Sequence, residues 1–486
     1  MRAVLLSALL LGAAPAAAQT LDRAAGRTTE QGRVEQAAIP AGVAETARAL
    51  MAAALEDDTG YRVVEGLTTE VGPRLAGSKA EARARDWSVS MFEGMGFSNV
   101  RIEPFRIPYW ARVYERAAIT EPFPQDLMVT ALGNSVGTVP GGVAGEVVRF
   151  ETLDDLIEAP MDDALRGKVV FVDEGMTRTQ DGSGYGMAVR KRSGAANEAA
   201  KRGAVAALIR SVGTDRHRFP HTGVMRYADG VTPVPIAALS WPDAEQLQRA
   251  MDRGPVTVSL DLEVVTQEDV PSGNVIAEIP GQTDEIVVIG AHLDSWDLGT
   301  GAVDDGAGVG IVTGAAKLIL DHVEETGEQP LRTIRVVLFG AEEVGLFGAY
   351  AYAEQHADEI ARHAMGAESD FGAGRIYRLE PNVAEDRLPA MREVARVLQP
   401  LGIAPGPNTG SGGPDMGPLR QAGVPVATLK QNGWDYFDLH HTHDDTLDKI
   451  EPDALAQNVA AYAAFTWMTA NAPEGFRAAV TAEPSR

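Results

Sequence analysis

Apolar residues recur every three to four positions in ETARALMAAALED and YRVVEGLTTEVG, the helical period, so two helices are predicted from Val43 onward. The turn-rich segment Gly72-Pro73-Arg74-Leu75-Ala76-Gly77-Ser78 breaks them, and a third helical stretch, KAEARARDWSVSMFEGMG, closes at Gly96. NVRIEPFRIPYWARV then reads as a strand region. Between residues 118 and 265 the pattern changes to short β-rich runs (VAGEVVRF, KVVFV, AVAALI and VTVSLDL) with one helical segment, GAANEAAKRG. The change predicts a small β-rich domain, 118–265, inserted between residues 19–117 and 266–486 of a larger one. From 274 onward strands and helices alternate. EIVVIGA, TIRVVLFG and VPVATLK read as strands; GVGIVTGAAKLIL, LFGAYAYAEQH and PDALAQNVAAYAAFTWMTANA read as helices. That alternation predicts an α/β fold.

The opening residues change where the protein is expected to work. MRAVLLSALLLGAAPAAAQT has one early cation, Arg2, an apolar run from Ala3 to Ala14, and then Ala16, Ala17 and Ala18. This is the pattern of a signal peptide, residues 1–18, cleaved after Ala18. The run is shorter than the ~20 residues that span a bilayer, and no later stretch is read as long enough. A soluble, secreted or periplasmic protein with no membrane partner is expected, with Thr20 to Gly42 as a polar lead-in.

Composition then narrows the chemistry. The 486 residues allow about three domains, and 45% hydrophobic content excludes a disordered chain. A formal charge of −25 argues against nucleic acid and mildly favours substrates with a free amine. The absence of cysteine excludes disulfides, thiolate metal sites and a thiol nucleophile. Any metal must be held by His, Asp and Glu.

Four clusters sit just past the ends of predicted strands, where open α/β sheets place their binding crevice. They are His292-Leu293-Asp294, Asp304-Asp305-Gly306, Glu342-Glu343 and His440-His441-Thr442-His443, with Glu368-Ser369-Asp370 between the last two. His292, Asp304, Glu343, Asp370 and His441 offer nitrogen and oxygen donors suited to zinc. Five are too many for one catalytic zinc but right for two with a bridging carboxylate. Glu342, beside a ligand but pointing elsewhere, is then the natural general base. Asp294 is placed to accept the second imidazole N–H of His292. Each motif alone is commonplace; their joint placement carries the reading. His322, His356 and His363 lie in charged helical surroundings and read as surface residues. Two rival motifs fail: Gly306-x-Gly308-x-Gly310 is not the dinucleotide GxGxxG, and Ser411 lacks the glycine two residues before a nucleophile elbow.

The chain resembles the co-catalytic dizinc aminopeptidase and glutamate carboxypeptidase family. The resemblance rests on GPRLAGS (72–78), AAKRGAVAALIRSV (199–212), PHTG (220–223), HLDSWDLGTGAVDDG (292–306), AEE (341–343), ESD (368–370) and HHTHDDT (440–446). It implies a three-layer α/β/α domain with a mixed central sheet and, at 118–265, an inserted protease-associated-like domain. It implies two Zn2+, with His292 and Asp370 on opposite metals, Asp304 bridging, Glu343 and His441 completing the shells, and Glu342 as base. The family's His-[Ser/Thr]-x-x-Asp-Thr pattern selects His441 over His443. His440 stands where the wider family often has a Tyr that steadies the oxyanion, the Asp304–Asp305 peptide is expected to be cis, and a homodimer is implied. His217 and His221 lie in the insert, where PHTG either helps close the cleft or is an incidental polar loop. The expected activity is zinc-dependent hydrolysis of dipeptides or short peptides. The alternatives are an aminopeptidase on longer peptides and a non-catalytic binding protein on the same scaffold. A single-zinc glutaminyl cyclase is disfavoured because all five ligand positions are filled.

Overall fold

The computed structural model describes residues 38–477; the leader with its cleavage point lies outside the described residues. At the centre is the strand Thr283–His292. It runs parallel to Arg332–Phe339 on one side and to His363–Glu368 on the other. Val426–Gln431 extends the parallel set beyond His363–Glu368, and Ile376–Asn382 adds antiparallel to it. Thr257–Ile279 adds antiparallel to Arg332–Phe339, so the sheet is mixed.

Residues Ile286 to Ile289 are buried on both faces, as the unbroken apolar run predicts for a covered parallel strand. Val287 and Ile289 face the helices Ala307–Thr326 and Pro452–Ala470, whereas Ile286 and Val288 face Ala349, Tyr352 and Leu419. Helices thus cover both sides, giving three layers. Gly310 lets Ala307–Thr326 approach Thr59–Gly66: a Cβ there would lie 2.5 Å from the Gly60 carbonyl oxygen. Gly310 therefore serves helix packing, and Gly308 clears the Ser369 carbonyl oxygen, from which a Cβ would lie 2.0 Å away. One expectation is corrected here. Ala302–Thr326 is long and apolar enough to cross a membrane by length and composition, but it is a mostly buried core helix.

Two long strands, Ser98–Glu121 and Thr257–Ile279, pair antiparallel along most of their lengths. They carry the chain into and out of the 118–265 segment, whose bounds fall inside them. Within that segment Val143–Phe150, Val169–Val172, Ala206–Arg210 and Ile236–Leu239 are parallel neighbours. They pack a separate apolar cluster that includes Phe171, Leu208, Leu239, Leu247 and Leu260. The strands His363–Glu368 and Ile376–Asn382, absent from the sequence reading, complete the sheet.

Candidate metal centre

The parallel strands deliver the chemistry to one edge. His292 ends Thr283–His292; Asp304 lies in the following loop, before Ala307–Thr326. Glu342 and Glu343 follow Arg332–Phe339, and Asp370 follows His363–Glu368. His440 and His441 follow the short helix Tyr436–Leu439. Every residue singled out as a ligand or base meets in one cleft of about 360 Å³, apart from His292, which is buried directly behind it.

Asp304 is the hub. Its Oδ1 is 3.1 Å from His292 Nε2, and that nitrogen is 3.6 Å from Asp370 Oδ1. Its Oδ2 is 3.2 Å from His441 Nε2, which lies 2.9 Å from Glu343 Oε2. The other ring nitrogens face backbone carbonyls: His292 Nδ1 is 2.9 Å from the Asp294 oxygen and His441 Nδ1 is 3.2 Å from the Thr222 oxygen. Each Nε2 faces carboxylate oxygens, an arrangement that calls for positive charge between them, either a proton on the ring or a bound cation. Burial disfavours charge on His292, yet Asp304 and Asp370 hold its pKa well above the ordinary value. Burial is likewise overridden at His441, which Glu343 and Asp304 lift to about 9. Glu343 Oε1 is buried without a partner. The donor set, all imidazole and carboxylate, fits zinc.

The geometry divides these residues differently from what the family resemblance implies. His292 and Asp370 lie on the same side of Asp304, facing Oδ1, while His441 and Glu343 lie on the Oδ2 side. The Asp304–Asp305 peptide is cis. Asp294 also acts differently from its expected role. Its backbone carbonyl, not its carboxylate, takes the His292 ring; the carboxylate Oδ1 is 3.8 Å from Nδ1. That carboxylate instead accepts the amides of Glu342 and Glu343, at 3.0 and 3.3 Å. Between these amides and the strand stands Ala341, with φ 58°.

Glu342 turns into the cleft. Burial, reinforced by Asp370, Glu343 and Asp294, holds its carboxyl well above the usual range, with His292 pulling the other way. His440 also lines the cleft, its Nε2 3.6 Å from Asp304 Oδ2 and its buried Nδ1 without a partner. Burial, then the neighbouring His441, holds it well below the ordinary histidine value, so the ring is neutral. His443 is exposed beside Phe219, away from the carboxylates. His363 and His356 are not surface residues: His363 is fully buried against the Tyr352 hydroxyl (2.9 Å), and His356 sits 2.8 Å from Glu103. The cause is Phe347–Gln355, which lays Tyr352 over both rings.

Several residues that shape the site had no assigned role. Arg74, fully buried, donates to the carbonyls of Leu293, Thr300 and Gly301, the last two at 2.8 Å, and so ties down the loop between His292 and Asp304. Asp305 accepts the amides of His292 and Gly308, and Asp445 those of Val303 and Asp304. From the 118–265 segment, Tyr185 and Arg192 form one wall of the cleft. The Arg192 guanidinium is 2.9 Å from the Tyr185 hydroxyl, and its buried Nε has no partner. The GPRLAGS motif and the basic run Arg190-Lys191-Arg192 were the available signals.

With this centre in view, comparison with known proteins is specific. The model of peptidase family M28 matches residues 274–466. Carboxypeptidase Q of Mus musculus is 36% identical over 411 residues, 84% of this chain and 85% of its own length. A crystal structure of a peptidase M28 precursor from Shewanella amazonensis matches with TM-score 0.87 at 49% identity, covering 91% of this chain and 99% of that one. A zinc aminopeptidase from Bacillus subtilis shares the fold, with TM-score 0.60 at 20% identity over 84% of this chain and 94% of that one. The strand-edge cluster of imidazole and carboxylate and this similarity over most of the chain give one conclusion: the chain belongs to peptidase family M28 and is a metallo-exopeptidase related to carboxypeptidase Q.

Proposed function

We propose that the enzyme uses two zinc ions to hydrolyse dipeptides or short peptides that carry a free C-terminal carboxylate. The observation that carries this reading is the division of ligands about Asp304, with His292 and Asp370 toward one oxygen and His441 and Glu343 toward the other. One zinc would be held by His292, Asp370 and Asp304, the second by His441, Glu343 and Asp304. Bound there, zinc supplies Lewis-acid polarisation of the scissile carbonyl and lowers the pKa of water.

The protein's own groups do the rest. Glu342 takes a proton from the attacking water and returns it to the leaving amine nitrogen. Asp294 fixes Glu342 through its backbone amide, so the base is aimed by a buried carboxylate that never touches substrate. His440, buried and neutral, lines the cleft where a ring N–H steadies the carbonyl oxygen as charge develops. Arg192 contributes its guanidinium to the cleft lining beside His441, where it can pair with a substrate carboxylate. The 118–265 segment supplies that part of the lining, consistent with a protease-associated-like insert that limits the cleft to short substrates. The leader pattern supports a mature enzyme that starts at Gln19 and works outside the cytoplasm.

The test is a zinc-loaded assay comparing a free dipeptide with its N-acetylated and C-amidated forms. Loss on both modifications is expected for a dipeptidase. Loss on acetylation alone supports the aminopeptidase reading, and no hydrolysis of any peptide by the zinc-loaded chain supports the binding-protein reading.

A further inference from the structure

Two loops grip each other on the insert side of the metal centre. His221 is fully buried, with Nε2 2.7 Å from Asp215 Oδ1 and Nδ1 2.6 Å from the backbone oxygen of His440. The next residue, Thr222, is joined to His441 in both directions. Its amide donates to the His441 carbonyl at 3.1 Å, and its own carbonyl faces His441 Nδ1 at 3.2 Å. Upstream, the Thr214 amide donates to the Phe437 carbonyl at 3.0 Å, and its hydroxyl donates to Asp438 at 2.8 Å. Gly213 makes room for the ring, since a Cβ there would lie 2.2 Å from His221 Nε2.

The residue held by this grip needs holding. His441 has φ 63°, in the left-handed region that a non-glycine residue enters only when its surroundings impose it. The orientation of its ring decides whether Nε2 reaches Glu343 and Asp304. On the 440 side the carbonyl is met by His221; on the 441 side Thr222 meets both the carbonyl and the ring, whose Nδ1 also lies 3.4 Å from Arg192 Nη2. His221 is in turn fixed by Asp215, whose second oxygen accepts the His217 amide at 2.8 Å.

We propose that Asp215 and His221 are positioning residues that set the conformation of His440–His441, so that metal binding by the peptidase part depends on the 118–265 segment. The proposal rests on the metallopeptidase reading above. It places a function on the Pro220-His221-Thr222-Gly223 motif: an outer support for a ligand, distinct from the cleft-lining role of Arg192. Outer partners of metal-binding imidazoles commonly change metal affinity or activity by about 10–100-fold.

The experiment uses the full chain and three variants: Asp215→Asn, His221→Gln and, as a control on the same loop, His217→Ala. Folding of the metal-free proteins is followed by near-UV circular dichroism and thermal unfolding. Zinc retention is measured against a competing chelator, and kcat and KM on a dipeptide. Visible spectra of the cobalt-loaded proteins report ligand geometry. For Asp215→Asn and His221→Gln the expected result is a folded protein with zinc affinity and kcat each lowered by about 10–100-fold. KM should stay within about threefold and the cobalt spectrum should shift; His217→Ala should match wild type throughout. If His221→Gln does not fold, Asp215→Asn, which keeps shape and ring, decides. Zinc retention, kcat and spectrum within about twofold of wild type would overturn the proposal, as would losses that only track the folded fraction. A wild-type chain that binds no zinc would overturn the metallopeptidase reading itself, and this inference with it.

Discussion

Glu342 and Asp294 are carboxylates beside the same loop, yet the part-buried Glu342 faces the cleft and the buried Asp294 faces backbone amides. In the proposed mechanism that difference separates the base from its support. Glu342→Gln keeps the shape and removes the proton acceptor, so zinc content is expected to be unchanged while kcat falls by about 10²–10⁴-fold; undiminished turnover would remove Glu342 from the mechanism. Arg192→Gln tests the cleft lining beside His441. Loss of a charged hydrogen bond to a carboxylate is worth about 1.5–3 kcal/mol, so KM for free dipeptides should rise at least about tenfold with kcat little changed. Equal KM values for wild type and Arg192→Gln would place the substrate's carboxylate elsewhere. At this scale the sequence was most legible for His292 and Glu343, which stand at recognisable strand ends, and for Asp304 and His441, which sit in dense acidic and histidine motifs. It was least legible for Asp294 and Arg74, whose partners are backbone groups that no sequence spacing marks.

Between elements, the decisive feature is how loops of different origin are locked at the sheet edge. Arg74 reaches from the turn after the first helices to three carbonyls of the 293–301 loop. Burial disfavours its charge, with Asp445 and the other nearby carboxylates opposing that loss. Arg74→Met would leave those carbonyls without their donor, and the expected cost is about 3 kcal/mol by urea unfolding, accompanied by weaker zinc retention. A variant within about 0.5 kcal/mol of wild type would mean that the loop holds itself. The strands flanking the centre show why the fold was only partly readable. EIVVIGA and TIRVVLFG announce themselves with β-branched apolar runs. HAMGAE, which carries the chain to Asp370, has none, and is a strand because its neighbours on both sides pair with it. The sequence reading also stopped the two long strands short, where each becomes largely exposed, at 113–116 in Ser98–Glu121 and 263–269 in Thr257–Ile279.

Across the whole molecule, stability and activity depend on pH through different groups. His363, buried far from the cleft, has its pKa lowered to about 4, by burial first and then by Arg335. A group depressed in the folded state is neutral there while the unfolded chain already binds a proton below about 6.5. Its contribution is therefore complete above pH 6.5 and is lost as pH falls toward 4, about 3 kcal/mol over that window. Unfolding free energy measured from pH 7 to 4 should fall less steeply in His363→Gln than in wild type, and parallel profiles would contradict this assignment. The α/β class was legible from alternation alone. The surface assignment of His363 failed because the sequence does not reveal that Tyr352 folds over it.

The proposed mechanism stands on Asp304 and the four candidate ligands about it holding a pair of ions. Zinc content of the purified chain after equilibration and desalting, measured by mass spectrometry beside an Asp304→Asn variant, tests this most directly. About two zinc ions per wild-type chain, falling to one or fewer in the variant, is the expected result. A wild-type chain holding a single zinc, or a variant that keeps both, would contradict it.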